Sequence, residues 1–470
     1  MATDDRQRPV THLIKSEGDE RRRDRSEVNE LTALMESGDT KALRTFLKVL
    51  HPADMAALFE ILDREHWPVV LLRLDISEIS NLMEELPDHL RDDLAEHLQH
   101  DQLSQAIEEM ASDDAADVLA DLPDELAQDV IESLPEEDRE EVETLLAYPE
   151  DTAGGLMQME MVAVSEDATV SEAVEILRTE AADAGEFHLI YVTSGNGRLV
   201  GVLRLEKLIL SQPGDRIGDL VEPSRYAVAP EVDQEEVARL FKRYDLVSMA
   251  VVDEKGVLLG RILHDDVVDV IEEEVEEDML HMAGATPDEP ELVYTDHLFQ
   301  IAWARLPWLL VTLAGLTVPA LLVWLFQVTW PKVIALVPFI PVIGAMGGNV
   351  GTQSATIVVR GFATGRVDFH NLGRFLGKEL IISVLMGAAC GLLSAVVALI
   401  WHGDYMLCLT VGISMSVAIV ASAILGVLVP FLFRLVRIDP AIAAGPAVTT
   451  IDDIVAIAIY FVVALLLIAR

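Results

Sequence analysis

Cysteine is almost absent from this 470-residue chain, occurring only as Cys390 and Cys408. Two cysteines in apolar sequence make neither a disulfide framework nor a zinc site, and they read as small lipid- or core-facing residues. Basic residues are also scarce: 34 Lys and Arg stand against 79 Asp and Glu, a formal charge of −45. A field this negative argues against nucleic acid or anionic lipid as a partner and favours cations. No early apolar stretch preceded by basic residues resembles a signal peptide, so the soluble region is expected to stay where it is made. There is no phosphate loop, nucleophile–base pair or metal-hydrolase motif, and an enzyme is not expected.

What is present is unevenly distributed. Residues 301–470 hold nine Lys/Arg and six Asp/Glu, leaving 25 basic and 73 acidic side chains, a net of −48, in residues 1–300. An acidic, water-soluble region therefore precedes an apolar one. Residues 1–27 are polar and charge-rich and are expected to be a disordered tail. Residues 28–150 read as helical throughout, with Leu86-Pro87, Leu122-Pro123 and Leu134-Pro135 each ending one helix and starting the next. Repeated short helices of this kind predict a superhelical N domain, with carboxylates on its outer faces as solvated surface.

Residues 151–264 contain one α/β unit twice. In the first copy a helix (170–179) precedes the strand Leu189-Ile190-Tyr191-Val192, the Gly197 to Gly201 turn, a second strand and a helix from Leu205. In the second, a helix (234–244) precedes Ser248 to Asp253, the Gly256 to Gly260 turn, a strand and a helix starting near Asp265. The two copies resemble a tandem pair of CBS domains. That resemblance implies a regulatory module for nucleotides, ATP among them, or for ions.

After a linker from Gly284 to Asp296, five apolar segments follow at roughly 306–328, 333–358, 380–401, 406–433 and 446–469. Each is near or above the ~20 residues that span a bilayer. Arg360, Arg366, Arg374 and Lys378 lie between the second and third segments, and Arg434 and Arg437 between the fourth and fifth. The opposite loops offer only Lys332. The positive-inside rule then places the acidic region in the cytoplasm and the C-terminus outside, in a multi-pass protein of the cell (inner) membrane.

An ionisable side chain within a span costs about 2.5–3.5 kcal/mol on insertion scales. Asp452 and Asp453 lie about 10 Å into the fifth segment. They are read either as a shallow pair reaching cytoplasmic water or as a functional site. Successive helical residues point about 100° apart, so at most one of them faces a given axis. The preceding Ala444-Gly445-Pro446-Ala447-Val448-Thr449-Thr450 contains a helix breaker and two hydroxyls, which can turn backbone carbonyls towards a cavity. Carbonyls beside one carboxylate suit Mg²⁺, which dehydrates reluctantly and takes few direct carboxylates. In the second segment Asn349 and Gln353 are four apart and share a helical face; its many glycines also suit close helix packing. Glu379, beside Lys378, reads equally as a pore carboxylate or an interfacial ion pair.

Gly347-Gly348-Asn349-x-Gly351-x-Gln353-Ser354-Ala355-Thr356, then Asp439-Pro440-Ala441 and Thr449-Thr450-x-x-Asp453, resembles the MgtE family of magnesium channels and transporters. The resemblance runs through nearly the whole chain. It implies a multidomain membrane protein: a superhelical helical N domain, a tandem CBS pair, an acidic connecting (plug) helix with its linker at 265–300, and a five-helix membrane domain at 301–470. It further implies a homodimer with the ion path between two membrane domains. Asp453 matches the central pore carboxylate, with Asn349, Gln353 and Glu379 supporting it.

From Asp265 to Asp278 nine of fourteen residues are acidic and none is basic. Such a tract repels itself, and usually it is only a solvated face. Here Val267, Val268, Val270, Ile271 and Val275 supply an apolar side at helical spacing. Divalent cations bridging the carboxylates would relieve the repulsion and draw acidic faces together. The expectation is feedback, with Asp265, Asp266, Asp269, Glu274, Glu277 and Asp278 binding cytosolic Mg²⁺ and holding the helix over the pore. Coupled exchange of Mg²⁺ or Co²⁺ against Na⁺ or H⁺ is the alternative. Carboxylate and carbonyl ligands accept Mn²⁺, Co²⁺ and Ni²⁺ as well as Mg²⁺.

Overall fold

Prolines and buried leucines set the corners of the N-terminal helices in the computed structural model, which describes residues 17–180, 187–223, 227–283, 298–329 and 331–468. The chain divides into two compact units, residues 1–268 and 269–470.

The first unit begins with α1 (Glu17–Ser37), α2 (Thr40–Leu47), α3 (Pro52–Ile61), α4 (Trp67–Leu71), α5 (Ile76–Glu85), α6 (Asp88–His97), α7 (His100–Glu108), α8 (Ser112–Asp121), α9 (Asp124–Ser133) and α10 (Glu136–Leu145). Helix α1 starts at Glu17, inside the segment expected to be disordered. Residues 1–16 lie outside the described residues. Pro87, Pro123 and Pro135 occupy the N-cap positions of α6, α9 and α10, as the Leu-Pro spacing predicts. Their partners Leu86, Leu122 and Leu134 are buried, so each corner also anchors the core. Helices α3, α5, α7 and α9 pack in one row, and α4, α6, α8 and α10 pack next-but-one in the other, an α-solenoid.

The CBS pair follows with β1 (Ala163–Ser165), α11 (Val170–Glu180), β2 (Leu189–Thr193), β3 (Leu199–Arg204), α12 (Leu205–Leu210), α13 (Ile217–Leu220) and β4 (Glu222–Pro223). The second copy holds β5 (Ala227–Val228), α14 (Gln234–Tyr244), β6 (Ser248–Val252) and β7 (Leu258–Leu263). The sheets run β1-β2-β3-β4 and β5-β6-β7, each with a parallel first pair and an antiparallel second. Gly197 and Gly256 adopt φ of +76° and +79°, which the two hairpin turns require of glycine. The turns pair with each other, Leu199 N donating to Gly256 O and Leu258 N to Gly197 O. The expected internal repeat is thus a pseudo-symmetric pair.

Helix α15 (His264–Ala283) continues from β7 into the second unit. Its apolar residues divide: Val267 and Val270 are buried, whereas Val268, Ile271, Val275 and Met279 form an exposed stripe. The expected linker at 284–296 lies outside the described residues. Five helices long and apolar enough to cross a membrane follow. They are α16 (Leu298–Thr329), α17 (Ile340–Ala363, entered through a 3₁₀ turn at Pro331–Phe339), α18 (Leu372–His402), α19 (Tyr405–Leu435) and, after the short α20 (Pro440–Ile442), α21 (Val448–Ile468). Helices α17, α19 and α21 pack on one another, with α18 against α19 and α16 against α21. Small residues permit this: the single Ser416 hydroxyl on α19 is shared between Gly387 O of α18 (2.8 Å) and Gly412 O (2.9 Å). The broad apolar exposure of α16 and α18 suits lipid.

Candidate functional site

The α20–α21 segment is built around a helix break. Asp439 Oδ1 accepts from Ala441 N (3.0 Å) and starts α20. Gly445 then leaves helical geometry at φ −98°, ψ −117°, next to Pro446, which cannot donate to a ladder. The expected break is therefore present. The Thr449 hydroxyl donates to Gly445 O at 3.1 Å, so that carbonyl is held by α21 itself.

One turn further, the two aspartates separate as their spacing predicts. Asp453 is half-buried, and a Cβ placed on Gly344 would come within 3.1 Å of its Oδ1. On the same side of α17, Gly348 faces Thr449 and the Thr352 hydroxyl stands 3.5 Å from that of Thr449. Gly344, Gly348 and Thr352 thus line a strip of α17 opposite Thr449 and Asp453. Asp452 is 0 % exposed and fills the notch left by Gly351, where a Cβ would collide with its carboxylate. Its polar neighbour is Ser422 of α19, short of a well-formed hydrogen bond. Asp453 is thus the carboxylate with an open side, and Asp452 is packed into the helix interface.

Asn349 and Gln353 share an exposed face of α17, one position beyond Gly348 and Thr352. Glu379 goes elsewhere. It is 8 % exposed, and its Oε1 accepts a 2.6 Å bond from Ser354, a partner that the sequence did not single out. Ser354 lies about 200° around α17 from Thr352. Its Cβ instead lies near Gly426 of α19. Glu379 is therefore not brought to the Thr449–Asp453 side.

On α15, Asp265, Asp269 and Glu277 are exposed, and Asp266, Glu274 and Asp278 half-buried. Asp266 Oδ2 accepts from Leu263 N (3.1 Å) and caps the helix start. Asp266 also faces charges from the N domain that sequence reading assigned to solvated surface. Asp113 on α8 is 6 % exposed; its Oδ2 accepts from Gln158 Nε2 (3.2 Å), while Oδ1 has no partner among the described residues. Burial pushes its carboxyl well above the usual range, and the charges of Asp114, Asp266 and Glu160 add to this against the Gln158 hydrogen bond. Asp114 is pushed up to about 7 by burial and by Glu84, Asp266 and Asp117, against the opposing Arg91. Ser112 fixes the position of α8, its hydroxyl donating to Glu160 (2.6 Å) and accepting from Met159 N (2.8 Å). The available signal was the pair Asp113-Asp114 beside the buried Ala115, Val118 and Leu119 of an amphipathic helix. No three or more His, Cys, Asp or Glu side chains among the described residues stand close enough to hold a metal ion as they are.

Comparison with known proteins gives three matching family models. These are the MgtE divalent cation transporter over residues 340–463, the MgtE intracellular N domain over 50–151, and the CBS domain over 153–213 and 217–273. The magnesium transporter MgtE of Thermus thermophilus is 37% identical over 453 residues, 93% of this chain and 97% of the relative. That of Bacillus subtilis is 32% identical over 431 residues, 92% and 95% respectively. A solved structure, the cytosolic domain of the Mg2+ channel MgtE in complex with ATP, is 39% identical with a TM-score of 0.50, covering 52% of this chain and 99% of its own.

Proposed function

The chain belongs to the MgtE family of divalent cation transporters, and from that premise we propose that it is a Mg²⁺-selective channel shut by cytosolic Mg²⁺. The observation that carries the reading is Asp453: a carboxylate half open to its surroundings, one turn past a helix break, facing a glycine-lined strip of α17. A single carboxylate with bound water retained is what a reluctantly dehydrating ion accepts. Transport proceeds down the electrochemical gradient into the cytoplasm, with the N-terminus cytoplasmic and the C-terminus outside the inner membrane.

A homodimer completes the path. Two side-chain amides, Asn349 and Gln353, on an outward face of a membrane helix are unfavourable against lipid and favourable beside a second copy enclosing water. Closure is a charge effect. Mg²⁺ bound among Asp113, Asp114 and Asp266, and along α15 at Asp265, Asp269, Glu274, Glu277 and Asp278, offsets the like-charge repulsion among these groups. A shift from 1:99 to 99:1 needs about 5.5 kcal/mol of differential binding, within reach of several weak sites. ATP is proposed as a ligand of the CBS pair by analogy with the solved relative. Near α12, Arg204 and Lys207 are already paired with Glu206 and Glu222 at 3.6 Å, and no step of gating is routed through a nucleotide.

Coupled exchange with Na⁺ or H⁺ has one observation on its side, the buried carboxylate of Asp452. Flux into proteoliposomes under an imposed membrane potential, without a Na⁺ or H⁺ gradient, separates the two. Undiminished Mg²⁺ entry supports the channel; entry that requires either gradient contradicts it.

A further inference from the structure

The last turn of α15 meets the membrane bundle at three points, all inside the second unit. Met282 is partly buried and packs against the cluster of Ala355, Val359, Val429, Ala441 and Val448, which α17, α19, α20 and α21 contribute. His281 Nδ1 stands 2.6 Å from Asp439 Oδ2. Gly445 presents a bare Cα to the Met282 carbonyl; a Cβ there would overlap that backbone oxygen and come within 3.5 Å of His281 O. Backbone carbonyls cannot swing aside as a flexible side chain can, so the helix end and a side chain at position 445 exclude each other.

The three contacts differ in kind, apolar, charge-assisted and steric, yet they converge on residues 439–448. That stretch leads directly into Thr449 and Asp453, and Gly445 O holds the Thr449 hydroxyl. Resting on the reading of α15 as the gate, we propose that Gly445 is the socket in which the end of α15 seats on closure, with Met282 and His281 as its prongs. These three are positioning residues. They bind no ion; they fix α15 against the loop that sets the pore-facing residues of α21. With the end of α15 placed as it is in this chain, position 445 has no room for a side chain.

The test is Mg²⁺ flux in proteoliposomes of the full chain at varied internal Mg²⁺, each variant normalised to its own flux without internal Mg²⁺. Gly445→Ala, by overpacking a backbone contact, raises the half-inhibiting Mg²⁺ about tenfold. Met282→Ala, which empties an apolar pocket, does the same by about tenfold, and the volume-conserving Met282→Leu restores inhibition. Met279→Ala, on the exposed stripe of the same helix, leaves the half-inhibiting concentration unchanged. Hydrogen exchange at residues 281–283, slowed by Mg²⁺ in wild type and not in Met282→Ala, gives a second readout should Gly445→Ala fail to assemble. Joint neutralisation of Asp266, Asp269, Glu277 and Asp278 distinguishes the two levels of the claim. If it abolishes inhibition while Gly445→Ala and Met282→Ala retain wild-type inhibition, the socket is overturned and the gate stands. If inhibition persists in that variant too, the gate itself is wrong.

Discussion

His281 Nδ1 lies 2.6 Å from Asp439 Oδ2, joining the last turn of α15 to the residue that caps α20. Burial lowers the imidazolium pKa at this position, but the hydrogen bond and charge of Asp439, with Glu277 and Asp278 behind it, more than offset this and raise it above the usual value. A raised pKa in the docked state means that docking is strengthened by protonation. The added strength is complete below the undocked value of about 6.5 and is lost as pH rises through the docked one. At fixed sub-saturating cytosolic Mg²⁺, inhibition therefore deepens as internal pH falls from about 8 to about 6. The difference between wild type and His281→Gln isolates this contribution from the titrating carboxylates; identical pH profiles for the two would contradict it.

The Ser354–Glu379 bond yields a separate expectation. A buried carboxylate losing a hydrogen-bond donor is destabilised by about 1–3 kcal/mol, so Ser354→Ala lowers the thermal midpoint of the detergent-solubilised protein. Because Glu379 is bonded to Ser354 on the side of α17 that meets α19, Glu379→Gln, which keeps the shape, retains Mg²⁺ flux within about threefold. A loss comparable to that of an Asp453 variant would return Glu379 to the ion path.

The acidic face of α8 carries its own pH signature. Asp114 is held near 7 in the folded protein, against about 4 for an unfolded aspartate. The folded state thus holds the proton more tightly. Without Mg²⁺ this group favours folding at acid pH, and its contribution is lost as pH rises from about 4 through about 7. Hydrogen exchange at α8 in the full chain should speed up over that range beyond the intrinsic pH effect. Millimolar Mg²⁺ should slow it again, and Asp114→Asn should flatten the profile. A profile unchanged by both Mg²⁺ and the substitution would remove this face from ion sensing.

Local pattern made much of the architecture legible. Leu-Pro corners, the repeated Gly turns of the CBS pair and five apolar runs each follow from rules acting over a few residues, and each reappears in the structure. The helix break before α21 was equally visible, because Gly445 and Pro446 announce it. What sequence left open depended on distant partners. The 100° step between Asp452 and Asp453 required that they face differently, but only the glycine notches of α17 decide which is enclosed. Glu379 had two readings, and Ser354, 25 positions away, gives it a partner that neither named. Asp113 looked like any other surface carboxylate of an acidic helical domain. Its burial arises where α8 meets Gln158, 45 residues later in the chain. The end of α15 seated on Gly445 likewise joins segments more than 160 residues apart.

The central claim is that Asp453 is the carboxylate that the ion meets, while Asp452 beside it is a packed interface group. Mg²⁺ flux into proteoliposomes for wild type, Asp453→Asn and Asp452→Asn tests it most directly, because both substitutions keep side-chain shape. Loss of one charge-assisted contact to a divalent ion corresponds to about 1.5–3 kcal/mol, so Asp453→Asn should lower flux about tenfold or more. Asp452→Asn, which removes an ionisable group from a helix interface, should stay within about twofold of wild type. Wild-type flux in Asp453→Asn, or a larger loss in Asp452→Asn, would contradict the account.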